Sequence, residues 1–274
     1  MDKEIKIVDK EKGILRLTTV DERFYIKSVQ NQITGLPEYR FVPSVTWIAG
    51  CYPKGVQFYK WLAEHGWDES QAIKEAAGSK GSKVHLAIVD LLDKKTVEMG
   101  SKYYQILLPH TGQEEELTVE EYECLMSFVS WFKEVKPEVI AREIVVFSDA
   151  YGFAGTIDLF CRIGGAFYII DFKTSQSIWT EYELQVSAYK QALFEQGEIK
   201  NIEDIHLGIL QLGYRRNKAG FKWNEIEDKF LLFINAQAIW ANEHGFEQPS
   251  QKDYPLMLSL EEKVAVKETI KKKK

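Results

Sequence analysis

The sequence predicts an α/β fold, a central mixed β-sheet flanked by helices with a helical N-terminal elaboration. Near residue 138 the apolar period changes from helical spacing to strand-like alternation. From there the order helix, strand, strand, strand, helix, strand implies a sheet with mixed strand directions. The chain also has the bulk for a substantial core: 274 residues, 45% hydrophobic and 28% charged, an ordinary globular composition.

Taken in order, residues 12–18 (KGILRLT) and 23–28 (RFYIKS) alternate like a short hairpin with TVDE as its turn. Helical patterns then predict helices near 54–66, 69–77, 82–94 and 117–134, with Gly78 and Gly81 punctuating the middle. EVIAREIVVFS, FAGTIDLFCRI and AFYIIDFKT are three consecutive strands. The next helix is expected to open on a capping box, Thr180 with Glu183 at the third position, and to stop at Gly197. DIHLGILQLGY (204–214), a basic turn RRNKAG, a strand FKWNEIE and a helix to about 243 follow. The polar end of the chain, closing in KKKK, reads as a frayed tail. The expected division is 1–135 for the hairpin and helical elaboration that carries His85, 136–245 for the core, and 246–274 for the tail. Internal repeats and Pro/Gly/Ser-rich linkers are absent.

Cys51, Cys124 and Cys161 are odd in number and scattered, which argues against a disulfide framework, a zinc site or a four-cysteine iron–sulfur cluster. A reducing, cytoplasmic setting is the expectation. No apolar run approaches the length of a membrane span, and MDKEIKIVDKEKG lacks a signal-peptide core. Net charge is −6, so a nucleic-acid groove would have to be a local basic patch on an acidic protein.

GTIDLFCRIGGAFYIIDFKTS (155–175) carries an aspartate in the middle of each of two apolar strands. If Gly164 and Gly165 form a two-residue loop, Ile163 pairs with Ala166, and counting back sets Asp158 opposite Asp171. Their Cβ atoms would then be roughly 5 Å apart, and like charges so placed destabilise a sheet. A four-residue loop from Asp149 to Gly152 pairs Ser148 with Phe153 and sets Glu143 opposite Asp158. Alternation places Lys173 on the face of Asp171 and turns Phe172 to the opposite layer, with Ile157, Leu159, Cys161, Ile170 and Tyr168. One sheet face is thus expected to be packed, the other to carry acids and a lysine. Such a cluster suits a divalent cation, which would neutralise the repulsion, with a lysine beside it to orient water near a phosphate. The plainer reading is that surface acids keep these strands soluble.

Glu143, Gly155-x-x-Asp158, Asp171-Phe172-Lys173 and Gln185-x-x-x-Tyr189 together resemble the PD-(D/E)XK nuclease superfamily. More narrowly they resemble its RecB-like exonuclease branch, which includes the mitochondrial genome maintenance exonuclease and many phage nucleases. Ile157 stands where the superfamily name has proline, a departure this branch commonly shows. Gly81-Ser82-Lys83-Val84-His85 resembles the branch's upstream G-x-x-x-H, and Pro43-Ser44-Val45-Thr46 resembles an N-terminal P-S-V-T element. The resemblance covers roughly 41–213 and is densest at 143–190.

It implies a restriction-endonuclease-like core and a Mg²⁺- or Mn²⁺-dependent deoxyribonuclease, an exonuclease on single-stranded DNA ends. His85, Asp158, Asp171 and the Phe172 carbonyl would be metal ligands, Lys173 would position the attacking water, and Glu143 would orient a water or a second ion. Gln185, Tyr189, Ser44, Thr46, Lys83 and Trp179 would serve the site or the DNA. Several of these have ordinary readings too. His85 shares a helical stripe with Ile88, Val89 and Leu92, where a histidine is usually a core residue bonded to backbone. Gln185 and Tyr189 lie on the stripe of Tyr182, Val186, Ala192 and Leu193. Tyrosine there is common, whereas a buried glutamine needs partners. Lys80, Lys83 and the 215–218 turn read equally as solvated surface, and Trp179 equally as a core anchor or a base-stacking residue. The rival function is a nucleic-acid-binding module that keeps the fold without turnover.

Overall fold

The computed structural model describes residues 4–18, 22–30, 37–104, 114–197 and 199–244. The expected C-terminal tail and most of the TVDE turn lie outside them. The N-terminal part is as much sheet as helix. Strands β1 (Glu4–Asp9), β2 (Ile14–Thr18), β3 (Arg23–Gln30) and β4 (Pro37–Pro43) form an antiparallel sheet in sequence order. The expected hairpin is its centre. β1 keeps Ile5 and Ile7 exposed, and β4 is bounded by prolines, so neither reads as a strand from burial logic or composition. One face buries Leu17, Phe24 and Ile26 in the main core, and the other sets Ile14, Tyr25 and Val42 against Val145, Phe147 and Ala154.

Helix α1 (Val45–Gly50) follows, then α2 (Val56–Leu92), where three helices were expected. The first break is present: Gly66 is non-helical at φ 72° and ψ 175°, a conformation glycine adopts without steric penalty. Gly78 and Gly81 stay helical, although glycine there costs about 1 kcal/mol each. The turns around them bury Val84, Ala87 and Ile88, and that packing outweighs the local preference. Strands β5 (Lys102–Tyr104) and β6 (Glu114–Glu116) make a small ribbon. Helix α3 (Val119–Val135) opens on a capping box of Thr118 with Glu121.

The core sheet consists of β7 (Glu138–Ser148), β8 (Phe153–Ile163), β9 (Ala166–Lys173), β10 (Ile205–Leu212) and β11 (Phe221–Ile226). Their order is β11-β10-β9-β8-β7. β9 and β10 are parallel and the other neighbours antiparallel, so the sheet is mixed, as expected. A parallel pair needs a crossover, supplied here by helix α4 (Thr180–Glu195). α4 and helix α5 (Phe230–His244) cover one face, burying Leu184, Ala188 and Phe233 on Ile157, Phe160, Ile169 and Ile209. The end of α2 and α3 cover the other, burying Ile88, Phe128 and Trp131 on Leu159, Ile170, Phe172 and Leu210. The expected box at Thr180 does not form. The N-cap is Trp179, without a side-chain cap, and Glu183 is drawn instead to Lys229, 2.6 Å away.

Candidate active site

The site forms where β8 and β9 part. Their pairing is regular from Ile163–Ala166 to Leu159–Ile170, the register the Gly-Gly loop predicts, and stops there. Asp158 and Asp171 would be the next pair. Instead the Phe172 N–H, free of its strand partner, donates to Asp158 Oδ2 at 2.8 Å. The alternation of β8 also slips at this point. Ile157 and Phe160 both pack with the α4 side, while Leu159 and Cys161 pack with α3. Opposite, Arg142–Leu159 and Ile144–Ile157 flank the Glu143 position in the expected register, but Glu143 itself has φ 49°. A left-handed non-glycine costs on the order of 1–3 kcal/mol and persists only where its surroundings enforce it.

These irregularities correct the expectation of an open acidic face. Both faces of the sheet are packed, and Asp171 is 1% exposed beneath α4. The acids are brought together by the fork, not by a flat row.

His85 enters from α2. Its Nε2 is 3.0 Å from the Phe172 carbonyl oxygen and its Nδ1 3.4 Å from Asp158 Oδ1. Ligand atoms of His85, Glu143 and Asp158 lie within 4.8 Å of one another, the one such cluster among the described residues. Asp171 stands outside it. Its Oδ1 accepts from Gln185 Nε2 at 2.8 Å, and its Oδ2 is 2.6 Å from Lys173 Nζ. Of the residues expected as ligands, His85 meets Asp158 and the Phe172 carbonyl, Glu143 lies beside His85 and Asp158, and Asp171 is turned to Gln185 and Lys173.

Electrostatics follow from this crowding. Burial would lower His85, but Asp158 outweighs it and holds the imidazole at about 9. Burial would likewise raise Asp158, yet His85, Lys173 and the Phe172 N–H keep it below the usual carboxylate range. Burial pushes Asp171 up to about 6 against the pull of Lys173, with Asp158 adding repulsion. Glu143 is crowded by protein and repelled by Asp158, and is raised to about 7. It is also exposed by surface area, so water tempers the first of those causes. Lys173 stays raised because Asp171 and Asp158 outweigh its burial.

The lysine is held from three sides. Besides Asp171, Nζ donates to Gln185 Oε1 at 3.3 Å and lies 4.6 Å from the Tyr182 ring centroid. Gln185 Nε2 also donates to the Tyr189 hydroxyl at 2.9 Å, so the buried amide has the partners its type requires. Gly155 lets Tyr189 approach: a Cβ there would collide with Tyr189 Cε1. Tyr182 is the residue sequence reasoning left in the core. Its place one turn before Gln185, on the same stripe, was the available signal.

Other expected contacts are elsewhere. Ser44 is a buried helix cap that accepts from the Trp47 N–H at 3.2 Å, with exposed Thr46 Oγ1 3.2 Å from its hydroxyl. Trp179 is exposed at the start of α4 and is not a core anchor. Lys83 is a correction. It is buried, 3.0 Å from Glu121 and 3.3 Å from Glu115, so it does not face a nucleic acid. Lys83→Met should destabilise the protein by about 3–5 kcal/mol in urea unfolding, since Glu121 would remain as a buried charge. Weaker DNA binding at unchanged stability would return Lys83 to the substrate. Lys80 and Arg215 both pair with Glu120 at the surface.

No family model matches the sequence, and no curated protein matches it. Among solved structures the fold is similar to LHK-Exo in complex with dAMP, at 11% identity, a TM-score of 0.29, and coverage of 74% of this chain and 88% of that one. A likeness of that size leaves the functional reading to the geometry of the site.

Proposed function

We propose that this protein is a Mg²⁺- or Mn²⁺-dependent deoxyribonuclease of the PD-(D/E)XK superfamily, RecB-like branch, acting as an exonuclease on single-stranded DNA ends. One observation carries the reading. At the fork of two core strands, a half-buried lysine is paired with one buried aspartate while a second aspartate, a histidine and a strand carbonyl converge beside it. Asp171 Oδ2 is buried and is held by the Lys173 ammonium at 2.6 Å.

The donors are oxygens and an imidazole nitrogen, a set that suits Mg²⁺ or Mn²⁺. Asp158, His85, the Phe172 carbonyl and Glu143 would hold the ion, with Asp171 at its margin. Bound there, it would supply positive charge to the phosphate oxygens during in-line displacement. Lys173 would donate a hydrogen bond to the attacking water and offset charge on the phosphate, a compact cation fixed by Gln185 and Tyr182. Glu143, raised toward neutrality, would accept a hydrogen bond from water at the cluster. Tyr189 would keep Gln185, and through it Asp171, in place. The three cysteines are free, in keeping with a cytoplasmic setting for such an enzyme; among the described residues no helix is long and apolar enough to cross a membrane.

The test is degradation of end-labelled single-stranded oligonucleotides with and without Mn²⁺. Metal-dependent release of nucleotides from the ends is expected. Tight binding without cleavage under either metal would establish the non-catalytic binding module instead.

A further inference from the structure

The N-terminal sheet carries polar groups toward the site that the chemistry above does not use. Lys6, Arg16 and Tyr25 stand directly opposite one another on β1, β2 and β3. Residues so paired share a face of the sheet. That face lies against the core: Tyr25 is buried with Val145, Phe147 and Ala154, and Ile14, two residues before Arg16, joins the same cluster. The Tyr25 hydroxyl is 3.0 Å from Thr156 Oγ1, two residues before Asp158 on β8. Thr156 in turn pairs with Val145, two residues after Glu143. The row therefore runs from exposed Lys6 inward to the neighbourhood of the acids.

Two groups on this face are left without partners. Arg16 Nε is buried and makes no hydrogen bond, and neither does Thr18 Oγ1, two residues further along the same strand face. A buried donor without an acceptor is destabilising, and native proteins rarely retain one without a use. A ligand with several acceptor oxygens would satisfy both groups.

We propose that Arg16, with Lys6 and Thr18, forms a phosphate-binding subsite on the N-terminal sheet that holds a backbone phosphate of a single-stranded nucleic acid beside the one cleaved. This rests on the nuclease reading of the site. A guanidinium matches phosphate oxygens in a planar, bidentate fashion. Phosphate contacts of this kind fix the register of a strand without reading its sequence, as an end-trimming enzyme requires.

The test uses the full chain, a fluorescein-labelled oligothymidylate, Ca²⁺ in place of Mn²⁺ for binding, and a salt series. Arg16→Met should weaken binding roughly tenfold to a hundredfold, the range for a charge-assisted hydrogen bond. It should also make the slope of log affinity against log salt shallower by about 0.7 for one lost phosphate. With Mn²⁺, KM should rise more than kcat falls. Thermal stability should be unchanged or higher, because an unpartnered polar group has been removed; a structural arginine would instead lower it. Exposed Lys6→Ala should shift binding and slope in the same direction, and it decides the matter if Arg16→Met does not fold. Wild-type cleavage with unchanged salt slope and KM in both variants overturns the subsite alone. A wild-type protein that neither binds nor cuts overturns the nuclease reading, and the subsite with it.

Discussion

Lys173→Met should slow cleavage of single-stranded DNA by on the order of 10³-fold, about 4 kcal/mol of barrier, while leaving affinity for the strand nearly unchanged. The ammonium sits 2.6 Å from Asp171 and is fixed by Gln185 and Tyr182, so its position is set before substrate arrives. A preorganised cation of this kind acts mainly on charge that develops during the reaction, which is why rate should fall and binding should not. The variant also leaves Asp171 buried without its cation, and breaking such a pair costs about 3–5 kcal/mol. Asp171 already lies near 6, raised by its burial, and loss of the lysine would drive it further toward the neutral acid. That protonation should limit the loss of stability. Circular dichroism at the assay temperature separates the two effects. A folded variant that cuts at close to the wild-type rate would remove Lys173 from the mechanism.

How far the sequence reaches can be followed residue by residue. The Gly164–Gly165 loop fixes the β8–β9 register because a two-residue loop leaves no freedom of pairing, and the structure has that register. Gln185 could be singled out because a glutamine on an apolar stripe must find partners, and it bonds Asp171 and Tyr189. Asp158 was harder. Strict alternation carried the expectation past the fork, whereas the strand changes face there and its side chain replaces a ladder acceptor. At that slip His85 arrives from α2, a tertiary contact that leaves no mark in the local period. Lys83 misled for the same reason. Its partner Glu121 lies on another helix, so the pair is invisible to spacing rules, and an isolated lysine looks solvated. Arg16 drew no notice because its meaning depends on three strands meeting a second sheet. Local pattern encodes element type and register; which charges meet across elements is decided by packing.

Mn²⁺ should raise the melting temperature of the wild-type protein, and His85→Ala should remove most of that gain. At a concentration 100 times the dissociation constant, a bound ligand adds about 2.7 kcal/mol to stability, roughly 5–10 °C for a chain of this size. Two explanations of His85 compete. The ring bonds the Phe172 carbonyl and faces Asp158, which is how a histidine serving only to tie α2 to the sheet would behave. On either account His85→Ala should lower melting without metal, by about the 1.5–3 kcal/mol of a charge-assisted hydrogen bond. The absolute melting temperature therefore cannot separate them. The difference between the two forms can, because metal stabilises the native state only through an intact set of ligands. A tether lost by mutation lowers both forms equally and leaves the Mn²⁺ shift whole. A ligand lost by mutation lowers the Mn²⁺ form more, and the shift shrinks. Calorimetric titration of Mn²⁺ into both proteins gives the same answer without heating. Equal losses in both forms, with Mn²⁺ affinity intact, would leave His85 a packing residue and the ion to Asp158, Glu143 and the Phe172 carbonyl.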